Sequence, residues 1–206
     1  MYLMTNYLGS AANELLAAWA LLPKQEGVPY RQSLDPMAIA RILPVITLLH
    51  RVSDGEWRFR LVGTEVDRRW GRPLTGLSCI EIASPEVVPI IRREFGEVVR
   101  QPCGSWSVRR VEFASGRRAT IETLRLPLRD KDGSVSLILG TSGEPLAAAA
   151  PEPDRSSSMV TIAQQRFFDI GSGLPASGVL SGAADPPLTT GAGESRELAL
   201  VADFSV

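Results

Sequence analysis

The chain has 206 residues, which suffices for one domain with a sizeable core and leaves too little for a second full domain. Its 22 basic and 23 acidic residues give a net charge of -1, so no overall basic field would draw the protein to nucleic acid. The two cysteines, Cys79 and Cys103, are too few and too far apart for a metal motif and are predicted to be free thiols.

The first predicted element is a helix over residues 11–22, with Ser10 as its N-cap. Its apolar run at 15–22 is too short to cross a bilayer, and no Lys or Arg precedes it as in a signal peptide. We therefore expect a cytoplasmic protein that does not enter a membrane. Three large apolar residues lie along one face of this helix: Leu15, Trp19 and Leu22.

A β-hairpin and a short helix follow. The β-rich residues 45–52 are joined by Asp54 and Gly55, a strong two-residue turn signal, to a second strand that begins at Trp57. Apolar and basic residues alternate along this second strand, which is the period of a half-buried strand. Residues 64–70 then have the pattern of a short helix that ends at a glycine.

An amphipathic helix and three strands complete the regular part of the chain. Apolar residues recur every three or four positions over residues 85–100, and we expect this helix to lie across one face of the sheet. Strands are predicted at 105–113, 119–128 and 134–139, separated by turns that contain glycine. The apolar phase of the first of these strands shifts near Arg109, where we expect a β-bulge.

Several of these patterns together resemble the first part of a PAS sensor domain. The pair WG at 70–71 stands where such domains have an aromatic-Gly pair, and LTG at 74–76 stands where they have a Leu-x-Gly turn. At 63–65 the sequence GTE replaces the commoner Asn-Pro-Ala. The run RFRLVGT at 58–64 is similar to the small standalone PAS proteins of alphaproteobacteria, the PAS_5 group. The resemblance extends over residues 19–143.

The resemblance implies an α+β, PAS-like fold, in which a five-stranded antiparallel sheet has helices on one face. An N-terminal helix and loop at 1–33 would precede the PAS-like domain at 34–146. A linker and a largely disordered tail would follow at 147–206, because Gly, Pro, Ala, Ser and Thr dominate there. Within that region, residues 160–170 hold enough apolar side chains to dock on the domain as a strand or a short helix.

Such a fold encloses a mostly apolar cavity between its sheet and its helices, so the resemblance predicts a small-molecule site. Trp70, Phe95 and Trp106 are candidates to line the cavity, although plain core packing would explain them as well. Arg60 and Glu122 are polar residues in otherwise apolar strands, and we expect them to make the specific contacts with a ligand.

The cofactors known from PAS domains receive no support from the sequence, and the ligand is left unknown. The reactive cysteine of a light-sensing flavin domain lies in an Asn-Cys-Arg-Phe-Leu-Gln-like run, a context that Cys79 lacks. Haem-binding PAS domains have an axial histidine on the long helix, and residues 85–100 contain none. Four arginine pairs, among them the pair at 109–110, lie near acidic residues, and we interpret them as solvated faces rather than as an anion-binding surface.

We expect a non-enzymatic sensory or adaptor module of bacterial signal transduction that senses a small ligand, binds a partner protein, or does both. In PAS proteins a leading helix often packs on the outer sheet face or against a second copy. We therefore expect a homodimer or partner contact at Leu15, Trp19 and Leu22; the alternative is a helix that covers its own sheet. Two other functions stay open: an interaction module with a filled core, and a small-molecule enzyme that uses His50, the single histidine.

Overall fold

The computed structural model describes residues 8–112, 118–143 and 160–175. The strands are β1 (Lys24–Gln25), β2 (Val28–Pro29), β3 (Ile46–Ser53), β4 (Glu56–Val62), β5 (Gly104–Glu112), β6 (Arg118–Arg129), β7 (Val135–Thr141) and β8 (Val160–Phe168). The first two form a small ribbon of their own. The other six form one antiparallel sheet in the order β4-β3-β7-β6-β5-β8.

The helical segments divide between the two faces of this sheet. The α-helices are α1 (Ser10–Leu21), α2 (Thr64–Trp70) and α3 (Val88–Arg100), and the 3-10 segments are Arg31–Ser33, Pro36–Val45 and Cys79–Ile82. On what we call the outer face lie α1 and the 3-10 segment that follows Asp35. On the inner face lie α2, α3 and the 3-10 turn at Cys79.

The outer face has a core of leucines and tryptophans. Alternate residues of β6, namely Leu124, Leu126 and Leu128, point toward α1 and have no exposed surface. They meet the buried residues Leu15 and Trp19 of α1. The indole Nε1 of Trp19 also donates a hydrogen bond of 3.0 Å to the carbonyl oxygen of Pro127. A helix with this much buried apolar surface is therefore an integral layer of the domain.

The inner face has a second core in which α3 is the central element. Apolar residues recur on one face of α3, and Ile91, Phe95 and Val98 are buried against the sheet, as the sequence predicts. The Phe95 ring meets the ring of Trp57 edge to face, with the ring centroids 5.6 Å apart. The predicted α+β fold, with helices between the second and third strands of an antiparallel sheet, is confirmed.

The apolar phase shift in β5 does not come from an extra residue in its pairing with β6. That register runs without interruption from Ser105 to Glu112, so the bulge predicted at Arg109 is absent there. A register shift does occur at this point in the pairing with β8. The phase shift arises because Arg109 points inward and is buried in an ion pair, while Val111 continues the same inner face.

A sixth strand extends the five that were expected. β8 pairs with β5 from Gly104 to Val111, so most of the segment 160–170 docks as a strand. Of its adjacent phenylalanines, Phe167 packs into the inner core and Phe168 into the outer core. The predicted linker and most of the predicted tail, at 147–159 and 176–206, lie outside the described residues, as do residues 144–146 at the end of the predicted domain.

Candidate ligand cavity

A cavity of ≈ 90 Å³ lies between the inner face of the sheet and the helical segments that cover it. Residues of β3, β4, β5 and β6 form its floor, and α2, α3 and the 3-10 turn at Cys79 form its cover. Its apolar lining includes Leu49, Phe59, Val66, Leu74, Ile91 and Phe95. The cavity thus has the mainly apolar walls that small-molecule sites usually have.

Local sequence signals position the cover. α2 ends where Gly71 adopts φ 68°, a left-handed conformation that glycine takes without strain. The backbone N–H of Leu74 then donates to the Asp67 carboxylate over 2.9 Å, which carries the Leu74 side chain into the cavity. Ser78 and Glu81 form a capping box that begins the next turn and places Cys79 on the wall.

The polar part of the site is a buried cluster of Glu94, Arg109 and Arg125. Nη2 of Arg109 donates to one Glu94 carboxylate oxygen over 2.6 Å, and Nη1 of Arg125 donates to the other over 2.9 Å. The Ser105 hydroxyl donates to Glu94 as well, over 2.6 Å, and Nε of Arg109 donates to the Ser107 hydroxyl. Glu94 has no exposed surface, whereas both arginines line the cavity.

The charges in this cluster do not balance, because two guanidinium groups face one carboxylate. Burial raises the pKa of the Glu94 carboxyl, but Arg125 and Arg109 outweigh it, so that the pKa lies below its ordinary value. Burial and then the repulsion from Arg109 lower the pKa of Arg125 to about 10. Glu94 and Arg125 are therefore both ionised near neutral pH, and the cluster sets two guanidinium groups against one carboxylate.

A third arginine reaches the cavity but has its own partners. Arg69 donates to the Glu65 carboxylate over 2.9 Å and to the carbonyl oxygen of Ser142, also over 2.9 Å. Glu65 in turn binds Arg68, and this pairing lowers the pKa of its carboxyl to about 2. Arg69 therefore shares the single carboxylate of Glu65 with Arg68, and because the Arg68 side chain is 73% exposed to solvent, the buried charge imbalance lies in the cluster of Glu94, Arg109 and Arg125.

Cys79 lies on the cavity wall as a protonated thiol. Burial raises its pKa to about 11, so the nucleophilic thiolate is scarce near neutral pH. A buried thiol in this state behaves as a small apolar group. Its chemistry here is therefore that of a core residue rather than that of a reactive cysteine.

Not all of the residues that the sequence predicts as ligand contacts line the cavity. Trp70 and Phe95 line the cavity, whereas Arg60, Trp106 and Glu122 do not. Arg60 is half exposed and pairs with Asp130 at 3.1 Å. Trp106 and Glu122 point to the outer face, because each has the opposite parity to the inward arginine of its own strand. The structure therefore places Arg60, Trp106 and Glu122 outside the cavity lining.

The predicted partner residues of α1 also have a different role. Leu15 and Trp19 have no exposed surface, and Leu22 packs partly buried against the same outer core. Since these side chains are used within the chain, they are not a free surface for a second copy. The helix covers its own sheet, which is the alternative that the sequence analysis left open.

The residues that sequence reasoning missed are the charged ones. From its sequence, Arg109 is predicted to lie in a solvated pair, and Glu94 and Arg125 are not predicted to be site residues. Strand parity is the signal that identifies the arginines, because Ser105, Ser107 and Arg109 share one face of β5 and Arg125 lies opposite Ser105 on β6. His50, the enzyme candidate, lies in β3 opposite Arg58 and Leu137, outside the cavity lining.

Within 8–112, 118–143 and 160–175, no group of histidine, cysteine, aspartate and glutamate side chains is arranged to hold a metal ion. None of the helices in these same ranges is both long enough and apolar enough to cross a membrane.

An antiparallel sheet whose central helices enclose a small cavity on its inner face defines an α+β domain with helices packed on a sheet. The chain belongs to the PAS_5 family of PAS domains, whose family model matches residues 9–142. That match ends just after β7, so β8 is an addition to the part that the family model covers. No curated protein matches the chain.

Solved structures similar to this chain include three PAS or light-oxygen-voltage proteins. The Rhodobacter sphaeroides LOV protein has 15% identity and a TM-score of 0.41, and the match covers 52% of this chain and 61% of that one. The Vibrio cholerae VqmA dimer structure has 14% identity and a TM-score of 0.44, with 57% and 54% covered. The PAS-B domain of Drosophila melanogaster Cycle, solved with glycerol, has 13% identity and a TM-score of 0.40, with 48% and 97% covered. All three likenesses are distant, and the family assignment rests on the family model.

Proposed function

We propose that this PAS domain is a sensory or adaptor module that binds a small molecule in its inner cavity and passes the binding event to another protein. The observation that carries the proposal is the buried charged cluster on the cavity wall. Two arginines with less than a tenth of their surface exposed are costly to bury and are more than one carboxylate can neutralise. Perturbed ionisable groups beside an apolar cavity are typical of binding sites.

The strand β5 connects the cavity with the outer face, because its side chains point alternately to the two sides of the sheet. Arg109 lies on its inner side, and Trp106 lies on its outer side. Trp106 donates a hydrogen bond of 2.7 Å to Glu122, which also accepts from the backbone N–H of Gly9 just before α1. A ligand that shifts β5 would therefore act on the start of α1, provided that it binds one of the two arrangements more tightly.

No catalytic step is part of the proposal. His50 lies outside the cavity lining, and the cavity cysteine is held as a thiol. Replacing His50 with alanine therefore leaves ligand binding unchanged. A turnover of any small molecule that disappears in His50→Ala would instead favour the enzyme alternative.

Native mass spectrometry of freshly purified protein tests the proposal. We expect a copurifying small molecule that is released on denaturation, together with loss of this adduct in a variant that fills the cavity, Val66→Trp. A matched control is Val52→Trp, because Val52 is half exposed and lies outside the cavity. A bare mass across several preparations, with no small molecule able to raise the unfolding temperature, would refute the sensory function.

One observation favours a second candidate, an interaction module with a filled core. The cavity of ≈ 90 Å³ is small beside the roughly 300 Å³ or more of a drug-sized site. If the core is simply filled, Val66→Trp should destabilise the protein by overpacking, with no other effect. Loss of partner binding without any ligand effect would support this second candidate.

A further inference from the structure

We propose that the cavity takes a small organic monoanion: a carboxylate with a short apolar body, whose charged end binds between Arg109 and Arg125. This inference rests on the proposed function, that the cavity holds a ligand, and it names the class of that ligand. It reverses the interpretation of Arg109 as part of a solvated surface pair.

The charge balance gives the sign and the size of the ligand charge. Two positive charges face the single negative charge of Glu94, which leaves one positive charge for the ligand to neutralise. Glu94 lies beneath the arginines with no exposed surface, and the cavity lining itself contains no carboxylate among the described residues. A monoanion therefore meets attraction at the wall, whereas a cation meets repulsion.

The hydrogen-bond geometry points to a planar acceptor. A guanidinium has five N–H donors, and of these Arg109 uses two and Arg125 uses one in its hydrogen bonds to the described residues. The remaining donors belong to rigid planar groups that match the two oxygens of a carboxylate. Phe95 holds the Arg125 guanidinium in place from below, with its ring centroid 5.0 Å from Cζ.

The rest of the cavity sets the nature of the ligand body. Leu49, Ile91 and Leu74 present apolar surface to the same cavity that the two arginines line. The volume of ≈ 90 Å³ excludes long chains and nucleotides. A short aliphatic or single-ring acid satisfies both the charged end and the apolar end.

The test compares acids with their neutral isosteres. Benzoate and butyrate are titrated into the full chain at low ionic strength, with benzamide and butyramide as paired controls, by calorimetry and by thermal unfolding. We expect at least one acid to bind and to raise the unfolding temperature, and we expect its amide to bind at least about tenfold more weakly, since a charged hydrogen bond is lost.

Three variants assign the effect to the cluster. Arg125→Gln removes the excess charge while Glu94 and Arg109 stay paired, so the protein should fold and lose at least about tenfold in acid affinity. Glu94→Gln doubles the excess charge, so the same acid should bind more tightly and stabilise the variant more strongly than the wild type. Arg118→Gln is the matched control, because Arg118 lies on the same strand, half exposed and paired with Glu112.

The outcomes separate this inference from the function on which it depends. Equal binding of acid and amide would overturn the proposal that the ligand is a monoanion, and so would acid binding that survives Arg125→Gln. Either result would still leave a cavity that binds ligands. A neutral copurifying molecule in native mass spectra would do the same. Absence of any copurifying or added ligand would overturn both. If Arg125→Gln fails to fold, Glu94→Gln decides alone, because a weaker response to acid there contradicts the inference.

Discussion

The Glu122 carboxylate holds the start of α1 in place by accepting a hydrogen bond from Gly9. Glu122 has 1% of its surface exposed, accepts a hydrogen bond of 2.7 Å from Nε1 of Trp106, and accepts another of 3.0 Å from the backbone N–H of Gly9. Burial raises the pKa of the Glu122 carboxyl, and the two hydrogen bonds oppose the shift only in part. Glu122 is therefore a structural residue of the outer face rather than a ligand contact.

Replacing Glu122 with leucine should lower the free energy of unfolding by about 2 kcal/mol, since the N–H groups of Trp106 and Gly9 would both be left buried and unpaired. Glu122→Gln keeps Oε1 as an acceptor and should cost less. Urea unfolding of the two variants at pH 7 measures the difference. An equal loss in both would show that the hydrogen bonds at this position do not contribute.

The raised pKa of Glu122 gives this site a defined pH dependence. Because the folded state favours the protonated form, the contribution of Glu122 to stability is full below the pKa of the unfolded chain and is lost as the pH rises through the folded pKa. Glu122→Gln cannot titrate, so its stability relative to wild type should improve as the pH rises from about 4 to 8. A difference that stays constant over this range would contradict the raised pKa.

Gln165 is the opposite case, a buried polar side chain that makes no hydrogen bond to the described residues. It is buried at 3% exposure, and neither its amide nitrogen nor its amide oxygen has a hydrogen-bond partner among the described residues. Gln165→Leu should therefore raise the free energy of unfolding by about 1 kcal/mol. Gln164→Leu, on the half-buried neighbour, is the control and should change stability by less than about 0.5 kcal/mol. A loss of stability in Gln165→Leu would mean that the amide has a partner.

At the residue scale, the sequence predicts apolar cavity residues better than charged ones. Trp70 and Phe95 lie on helices that cover the inner core, where a large aromatic residue has to be buried, and both line the cavity. Glu94 and Arg109 were missed because charged residues are usually exposed, and their burial depends on partners from different elements. Arg109 and Arg125 come together on one face because of the register of β5 against β6. This register cannot be predicted from the sequence of either strand alone.

At the scale of elements, the docking of β8 depends on a close approach at Gly104. Gly104 pairs with Phe168, and the Phe168 ring lies where a side chain at position 104 would be, with Cζ 2.1 Å from an added Cβ. The ring is buried in the outer core, so it has little room to move. Glycine is therefore required at position 104 for β8 to pack against β5.

Gly104→Ala should weaken this docking by about 1 to 3 kcal/mol through overpacking. Hydrogen exchange followed by mass spectrometry should show faster exchange of the amides of Val160–Phe168, while those of α3 keep their protection. Gly96→Ala is the matched control, because a Cβ there meets nothing within 4 Å and a helix interior favours alanine. Unchanged exchange in β8 would show that the Phe168 ring moves aside without cost.

The hairpins and the long helix were predictable as elements because each carries its own turn, cap and period. Asp54-Gly55 and Asp132-Gly133 join the strands that they were expected to join. The sequence left 160–170 open between a strand and a short helix, since adjacent phenylalanines fit neither a one-sided strand nor a clear helical stripe. The structure explains this pattern, because a strand between two cores buries both of its faces.

At the scale of the whole molecule, the sheet separates two cores that have different roles. The inner core holds the cavity and its excess charge, and the outer core holds α1 through Trp19 and Glu122. β8 closes the β5 edge and contributes one phenylalanine to each core. The folded unit is therefore larger than the family match at 9–142, since it includes a strand beyond the end of that match.

Ending the chain after Gly143 tests this larger unit. The truncated protein loses Phe167 and Phe168 from the two cores and leaves the backbone N–H and C=O groups of β5 unpaired along an open edge. We expect a loss of at least about 3 kcal/mol in stability, as for one buried phenylalanine, and dimers or larger species in light scattering, because an open edge pairs with another chain. Ending the chain after Pro175 keeps β8 and is the control, for which we expect no change in oligomeric state or in stability. A monomeric, equally stable protein ending at Gly143 would show that β8 packs on a domain that is complete without it.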